Sequence, residues 1–123
     1  MSVPVDLGAL AAEVARFGDV AFLVSAGVDG RPHVVSARVT VAGGVVTMSA
    51  GRTSRRNLTA GPSATLLWPG EPGAEYCLLV DGAARVDDTA EVVTVEPTGA
   101  ILHRLAGASA DLPYCAPVEP GPA

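Results

Sequence analysis

The chain has 123 residues, about half of them apolar, and a formal charge of −5. That length fits one domain with a modest core, and the apolar share excludes a disordered chain. The acidic balance argues against a nucleic-acid or anionic-membrane binder, which needs a basic face. No run approaches the roughly 18 apolar residues of a membrane-spanning helix. No basic stretch followed by an apolar one opens the chain, so no signal peptide is read and a cytoplasmic location is expected. All 8 cations are arginines, so every role of a cationic side chain falls to arginine. Aromatics are few, namely Phe17, Phe22, Trp68, Tyr76 and Tyr114, and the core must be built from Val, Leu and Ala.

Asp6 suits a helix N-cap, Leu7, Leu10, Val14 and Phe17 recur at helical spacing, and Gly18 is a natural stop. Val20 to Ala26 reads as a buried strand, and Asp29-Gly30 as a tight turn. A second strand runs from His33 to Val41, followed by an Ala42-Gly43-Gly44 hairpin and a third strand from Val45 to Ser49. Such short connections make these strands antiparallel neighbours. A turn and a short helix follow, with Thr53 or Ser54 as the expected cap and Gly61 before Pro62 as the stop. Ser63 to Trp68 is a fourth strand, and Glu75 to Val86 is a longer one with a bulge expected at Asp81-Gly82. Glu91 to Glu96 is a sixth strand, and Thr98 to Leu105 is a last strand or a short helix. The expected architecture is a single mainly β domain over residues 1–123, with its core at about 19–105 and an Ala/Pro-rich tail at 106–123.

Arg52, Arg55 and Arg56 fall beside Ser49, Gly51, Thr53 and Ser54 at the start of the second helix. Free N–H groups and the helix dipole favour an anion at such a start. Hydroxyls donate to phosphate oxygens, arginine forks match phosphate geometry, and Gly51 permits close approach of the backbone. The turn is neither a Walker loop nor a dinucleotide fingerprint. Its residues alone indicate an anion site without naming the ligand; the bland alternative is a solvated helix that carries arginines.

Three segments, AGVDGRPHVVSARV, VVTMSAGRTSRRNLTAGPSATLLW and CLLVDGAARVDD, resemble the pyridoxamine 5′-phosphate oxidase-like, FMN-binding split-barrel superfamily over about Ala21 to Val95. The resemblance implies a six- to seven-stranded antiparallel split β-barrel with a short N-terminal helix and a short helix after the third strand. It implies FMN as cofactor, with Val35, Ser36, Ala37 and Arg38 along the flavin ring and a hydroxyl from Ser49 or Thr47 toward the ribityl-phosphate. Thr53, Ser54 and Arg55 then occupy the phosphate stretch when the chain is aligned from the third strand. Aligned backward from Pro62, Ser54 falls where such proteins often have lysine, so Arg52, Arg55 and Arg56 compete for the main phosphate contact. The resemblance further implies a homodimer with the cofactor at the subunit interface and residues from the 68–76 region reaching the partner's site.

Arg38 interrupts an apolar strand and is either a solvent-facing side chain or a cation near the flavin ring that favours its reduced form. His33 and His103 are isolated, Trp68 suits an anchor at the barrel end or an interface, and Asp87-Asp88 suits a turn. Cys77 and Cys115 form neither a disulfide framework nor a close ligand pair, and no metal site is expected. No catalytic side chain is identified, which a flavin enzyme tolerates because the cofactor performs the redox chemistry. Three functions follow: a flavin-dependent oxidoreductase of a small molecule, a reductase using the deazaflavin coenzyme, and a non-catalytic flavin-binding or storage protein. Pyridoxamine-phosphate oxidation is disfavoured, because the tail offers no counterpart of a C-terminal substrate-binding arginine motif.

Overall fold

The computed structural model describes residues 2–107; the tail from 108 onward, with Tyr114 and Cys115, lies outside the described residues. The strands are β1 (Ser2–Pro4), β2 (Val20–Ala26), β3 (Pro32–Ala42), β4 (Val45–Ser49), β5 (Ser63–Trp68), β6 (Tyr76–Asp87) and β7 (Val92–Arg104). The helices are α1 (Leu10–Phe17), entered through a 3-10 turn at Leu7–Ala9, and α2 (Arg52–Ala60). The strand order is β1-β7-β4-β3-β2-β5-β6, and β6 pairs with β7 to close the sheet. The result is a closed antiparallel barrel of six strands, β2 to β7, with β1 added on the free edge of β7. Among the described residues no helix is long and apolar enough to cross a membrane.

Alternation builds the core. Ala21 and Leu23 of β2, Ala37 and Val39 of β3, Val46 and Met48 of β4, Leu66 and Trp68 of β5, Leu78 and Val80 of β6 and Val93 and Val95 of β7 point inward and are buried. Leu10 and Val14 of α1 cover one part of this core, and Leu58 seats α2 on it. Trp68 is fully buried, and its indole N–H donates to the Gly18 carbonyl at 3.1 Å, anchoring the end of α1 to the barrel. Asp6 caps the 3-10 turn, as its position suggests, by accepting from the Gly8 N–H at 2.9 Å.

The structure differs from the expected elements in three places. First, Gly51 is the N-cap of α2, so neither Thr53 nor Ser54 caps it, and no side chain does. The extended backbone of Gly51 carries the chain into the helix two residues earlier than a cap at Thr53 would and three earlier than one at Ser54. Second, residues 91–105 do not divide into two elements. β7 is one strand of 13 residues whose first part pairs with β4 and whose last part pairs with β1, while β6 follows its other edge. Pro97 sits where β7 changes neighbours, opposite Gly82 at the register shift, so its missing N–H interrupts little of the ladder. Third, β1 was not expected at all, because three residues are too few for periodicity to register.

Candidate functional site

Ser49 ends β4, and Ala50-Gly51 leads into α2. Three arginines follow, and the structure gives them different tasks. Arg55 turns inward, with only 12% of its side chain exposed. Its Nε donates to the Ala50 carbonyl at 3.0 Å and its Nη1 to Asp88 Oδ1 at 2.8 Å, while Glu91 Oε1 lies 3.8 Å from Nη2. Arg55 thereby ties the start of α2 to the turn between β6 and β7. The same turn accepts the Ala50 N–H through the Glu91 carbonyl at 3.0 Å, with Glu91 in the left-handed region at φ 57°.

Arg52 and Arg56 are exposed and form no ion pair among the described residues. Together with Thr59, Ala60 and Asp88 they line a surface pocket. With no side-chain cap, the N–H groups of the first turn of α2 have no side-chain acceptor. Thr53 is exposed on that turn, whereas Ser54 is buried against the barrel and can offer a ligand its backbone rather than its hydroxyl.

Beside the helix start, the outer wall of the barrel forms a groove of about 340 Å3 lined by Arg38, Thr40, Thr47, Met48, Ser49 and Val92. Strand alternation explains its polarity. With Val39 and Met48 inward, Thr40 and Thr47 face out as direct cross-strand partners. Thr47 in turn pairs with Thr94, and Thr94 with Arg85, which continues a polar row across four strands. Hydroxyl-bearing side chains therefore lead from Ser49 across the barrel wall.

The four residues placed along the flavin ring divide by face. Ser36 and Arg38 point outward, Ala37 is buried, and Val35 packs against the core from inside. Arg38 donates to Asp19 Oδ2 at 2.6 Å, and both side chains are largely exposed, so this pair contributes at most about 1 kcal/mol. Several outward residues on the neighbouring strands are apolar, although Thr65 and Asp81 continue the Val34–Val24 row with polar side chains. Val24 pairs with Val34, Phe22 pairs with Leu67, and Leu67 with Leu79, forming an apolar band beside the polar groove. Val34 in this band is 55% exposed.

Arg38 and Ser49 share the groove, Arg52 and Arg56 share the pocket along α2, and Thr53 is exposed on that helix; Ser54 and Ala37 are buried, and Arg55 and Val35 are partly buried. Thr40, Thr94, Arg85 and Asp88 are not among the residues the sequence singles out for the site. The Thr40–Thr47 pairing was legible in principle, because a two-residue Gly43-Gly44 hairpin fixes that register. Asp88 was not legible, because its partner Arg55 is 33 residues away. His33 and His103 remain far from any cluster: among the described residues, no group of three or more His, Cys, Asp or Glu could hold a metal ion. His103 Nδ1 lies 3.3 Å from the Ser2 hydroxyl at the β1 edge. Cys77 is a buried free thiol, and burial pushes its pKa up, which keeps it a poor nucleophile.

No family model matches the chain, and no curated protein does. Solved structures do match. A protein from Listeria innocua assigned as a pyridoxamine 5′-phosphate oxidase superposes with a TM-score of 0.62 at 16% identity, covering 76% of this chain and 97% of its own. The fold is the split barrel of the pyridoxamine 5′-phosphate oxidase-like proteins. A FAD-binding protein from Mesorhizobium loti shares this split barrel with a TM-score of 0.61 at 14% identity, over 82% of this chain and 96% of that one. An F420 reductase shares it with a TM-score of 0.56 at 21% identity, over 72% and 94%. The split barrel is thus common to proteins named for different flavins.

Proposed function

We propose that the protein binds FMN in the outer groove and acts as a small cytoplasmic flavin-dependent oxidoreductase, working as a homodimer with the cofactor at the subunit interface. The observation that carries this reading is the state of the arginines. Among the described residues Arg52 and Arg56 form no ion pair, and they stand at a helix start that no side chain caps, next to a hydroxyl-lined groove on a barrel shared with flavin-binding proteins. The residues present fit the group chemically. Arg52, Arg56 and the first-turn N–H groups would hold the phosphate. Ser49, Thr47 and Thr40 offer hydroxyls suited to a ribityl chain, and Ser36 and Arg38 offer polar contacts suited to the ring. Thr53 adds a hydroxyl at the phosphate end, while Arg55 and Ser54 hold the helix start in place. Val35 and Ala37 support the wall from inside the barrel.

The cofactor, when bound, supplies hydride or electron transfer to or from a small-molecule substrate. The chain supplies binding and orientation, and a second subunit excludes water from the groove. The apolar band from Val34 to Leu79, which adjoins the groove, supports that second subunit as its occupant. Deazaflavin coenzyme is the second ligand considered, favoured by the likeness to an F420 reductase and by Arg31 and Arg85, which are exposed and form no ion pair among the described residues.

Titration of the purified protein with FMN, FAD and F420 tests the reading, with flavin fluorescence as readout. FMN is expected to bind, and Arg52→Ala with Arg56→Ala to weaken binding by more than about tenfold at unchanged thermal stability. Arg55→Ala is expected to lower thermal stability as well. Preference for F420 would select the deazaflavin reading, and absence of binding by all three would reject a flavin site. Bound flavin that neither nicotinamide donors reduce nor acceptors reoxidise would indicate a storage protein.

A further inference from the structure

Asp88 holds two positions in the proposed phosphate site at once. Its carboxylate takes the Nη1 donor of Arg55 at 2.8 Å, and the same residue lines the surface pocket of Arg52, Arg56, Thr59 and Ala60. Among the described residues it is the one acidic residue lining that pocket. With 73% of its side chain exposed, it is positioned by its partner rather than by burial. Any phosphoryl group drawn to Arg52 and Arg56 therefore meets a carboxylate already engaged with the third arginine of the cluster.

We infer that Asp88 is a resident counter-anion of the phosphate site, whose charge limits how tightly the site holds a phosphoryl ligand. The inference rests on the phosphate site proposed above. Its physical basis is Coulombic: a negative charge within one pocket of a dianion disfavours that dianion, and at an exposed site the effect is moderate. Arg55 would not drift once that charge is removed, because its Nε stays bonded to the Ala50 carbonyl and Glu91 remains beside Nη2. An asparagine at position 88 can still accept from Arg55 through its amide oxygen. Asp88→Asn therefore removes the charge while keeping the hydrogen bond. Asp87 provides the control, because its Oδ1 accepts the Ala90 N–H at 3.1 Å and it does not line the pocket.

The full chain, D88N and D87N are titrated with FMN by flavin fluorescence and with inorganic phosphate by thermal shift. D88N is expected to tighten both ligands by about fivefold, and D87N to stay within about twofold of the parent. Unchanged or weaker binding in D88N, with the parent protein binding FMN, overturns the role of Asp88 and leaves the phosphate site standing. An equal gain in D87N also overturns it, since general charge reduction would then explain the effect. Failure of both ligands to bind the parent and D88N overturns the phosphate site and this inference together.

Discussion

Asn57 of α2 donates its side-chain amide to the hydroxyl of Ser25 in β2 at 3.2 Å, and both residues are buried. This contact and the apolar seat of Leu58 fix the rotation of α2 on the barrel, and that rotation leaves Arg52 and Arg56 outside and Arg55 inside. A buried polar pair is sensitive to loss of one partner, because the other is left unsatisfied. Asn57→Ala is expected to cost about 1–3 kcal/mol, read as a lower denaturant midpoint with an unchanged slope. A loss below about 0.5 kcal/mol would mean the bond contributes little to seating the helix.

Gly82 is fixed by close approach and not by its dihedral angles. A Cβ there would collide with the Glu96 carbonyl oxygen and lie 2.6 Å from Val95 Cγ1, at the register shift between β6 and β7. Backbone cannot yield as a flexible side chain can. Gly82→Ala should destabilise the barrel by about 2–3 kcal/mol, measured by thermal or urea unfolding. Gly51→Ala is the comparison, since a Cβ there meets nothing within 4 Å, and its stability should stay close to that of the parent.

The proposed subunit interface uses the apolar band, and Val34 lies within that band. Because Val34 is 55% exposed, a carboxylate there leaves the barrel interior untouched. Val34→Asp is expected to convert a dimer into a folded monomer in sedimentation experiments and to weaken FMN binding with it. A parent protein that sediments as a monomer would rule out the interface.

Cys77 links stability to alkaline pH. Burial raises its pKa, while backbone hydrogen bonds at Cys77 and His103 pull it back by less. The unfolded thiol ionises near about 8.5, so above that pH the unfolded chain holds fewer protons than the folded one. Stability must then fall as pH rises through this window. Cys77→Ala should flatten that part of the stability profile, as measured by urea unfolding at pH values from about 7.5 to about 10. An unchanged slope would assign the alkaline loss to other groups.

Much of this protein is written in local pattern. Asp6, Gly18, Gly43-Gly44 and Gly61 mark element ends, and alternation of Val and Leu marks the walls, because capping, turn chemistry and burial period act over a few residues. From these the barrel strands β2 to β6 follow to within a residue at each end and both helices follow in place, though α2 begins earlier than its hydroxyls suggest, and the cluster of arginines after Ser49 is the sequence's pointer to the proposed anion site. Tertiary structure alone decided what long-range pairing controls. It joined residues 92–104 into one strand shared among three neighbours, and it added β1 to that strand's edge. It also separated three arginines that look equivalent in sequence: Asp88 and Glu91, more than 30 positions away, hold Arg55 inward, while Arg52 and Arg56 are exposed and form no ion pair among the described residues. The reason is physical. Which face of a helix meets a distant turn depends on how the barrel closes, and closure is a property of the whole sheet.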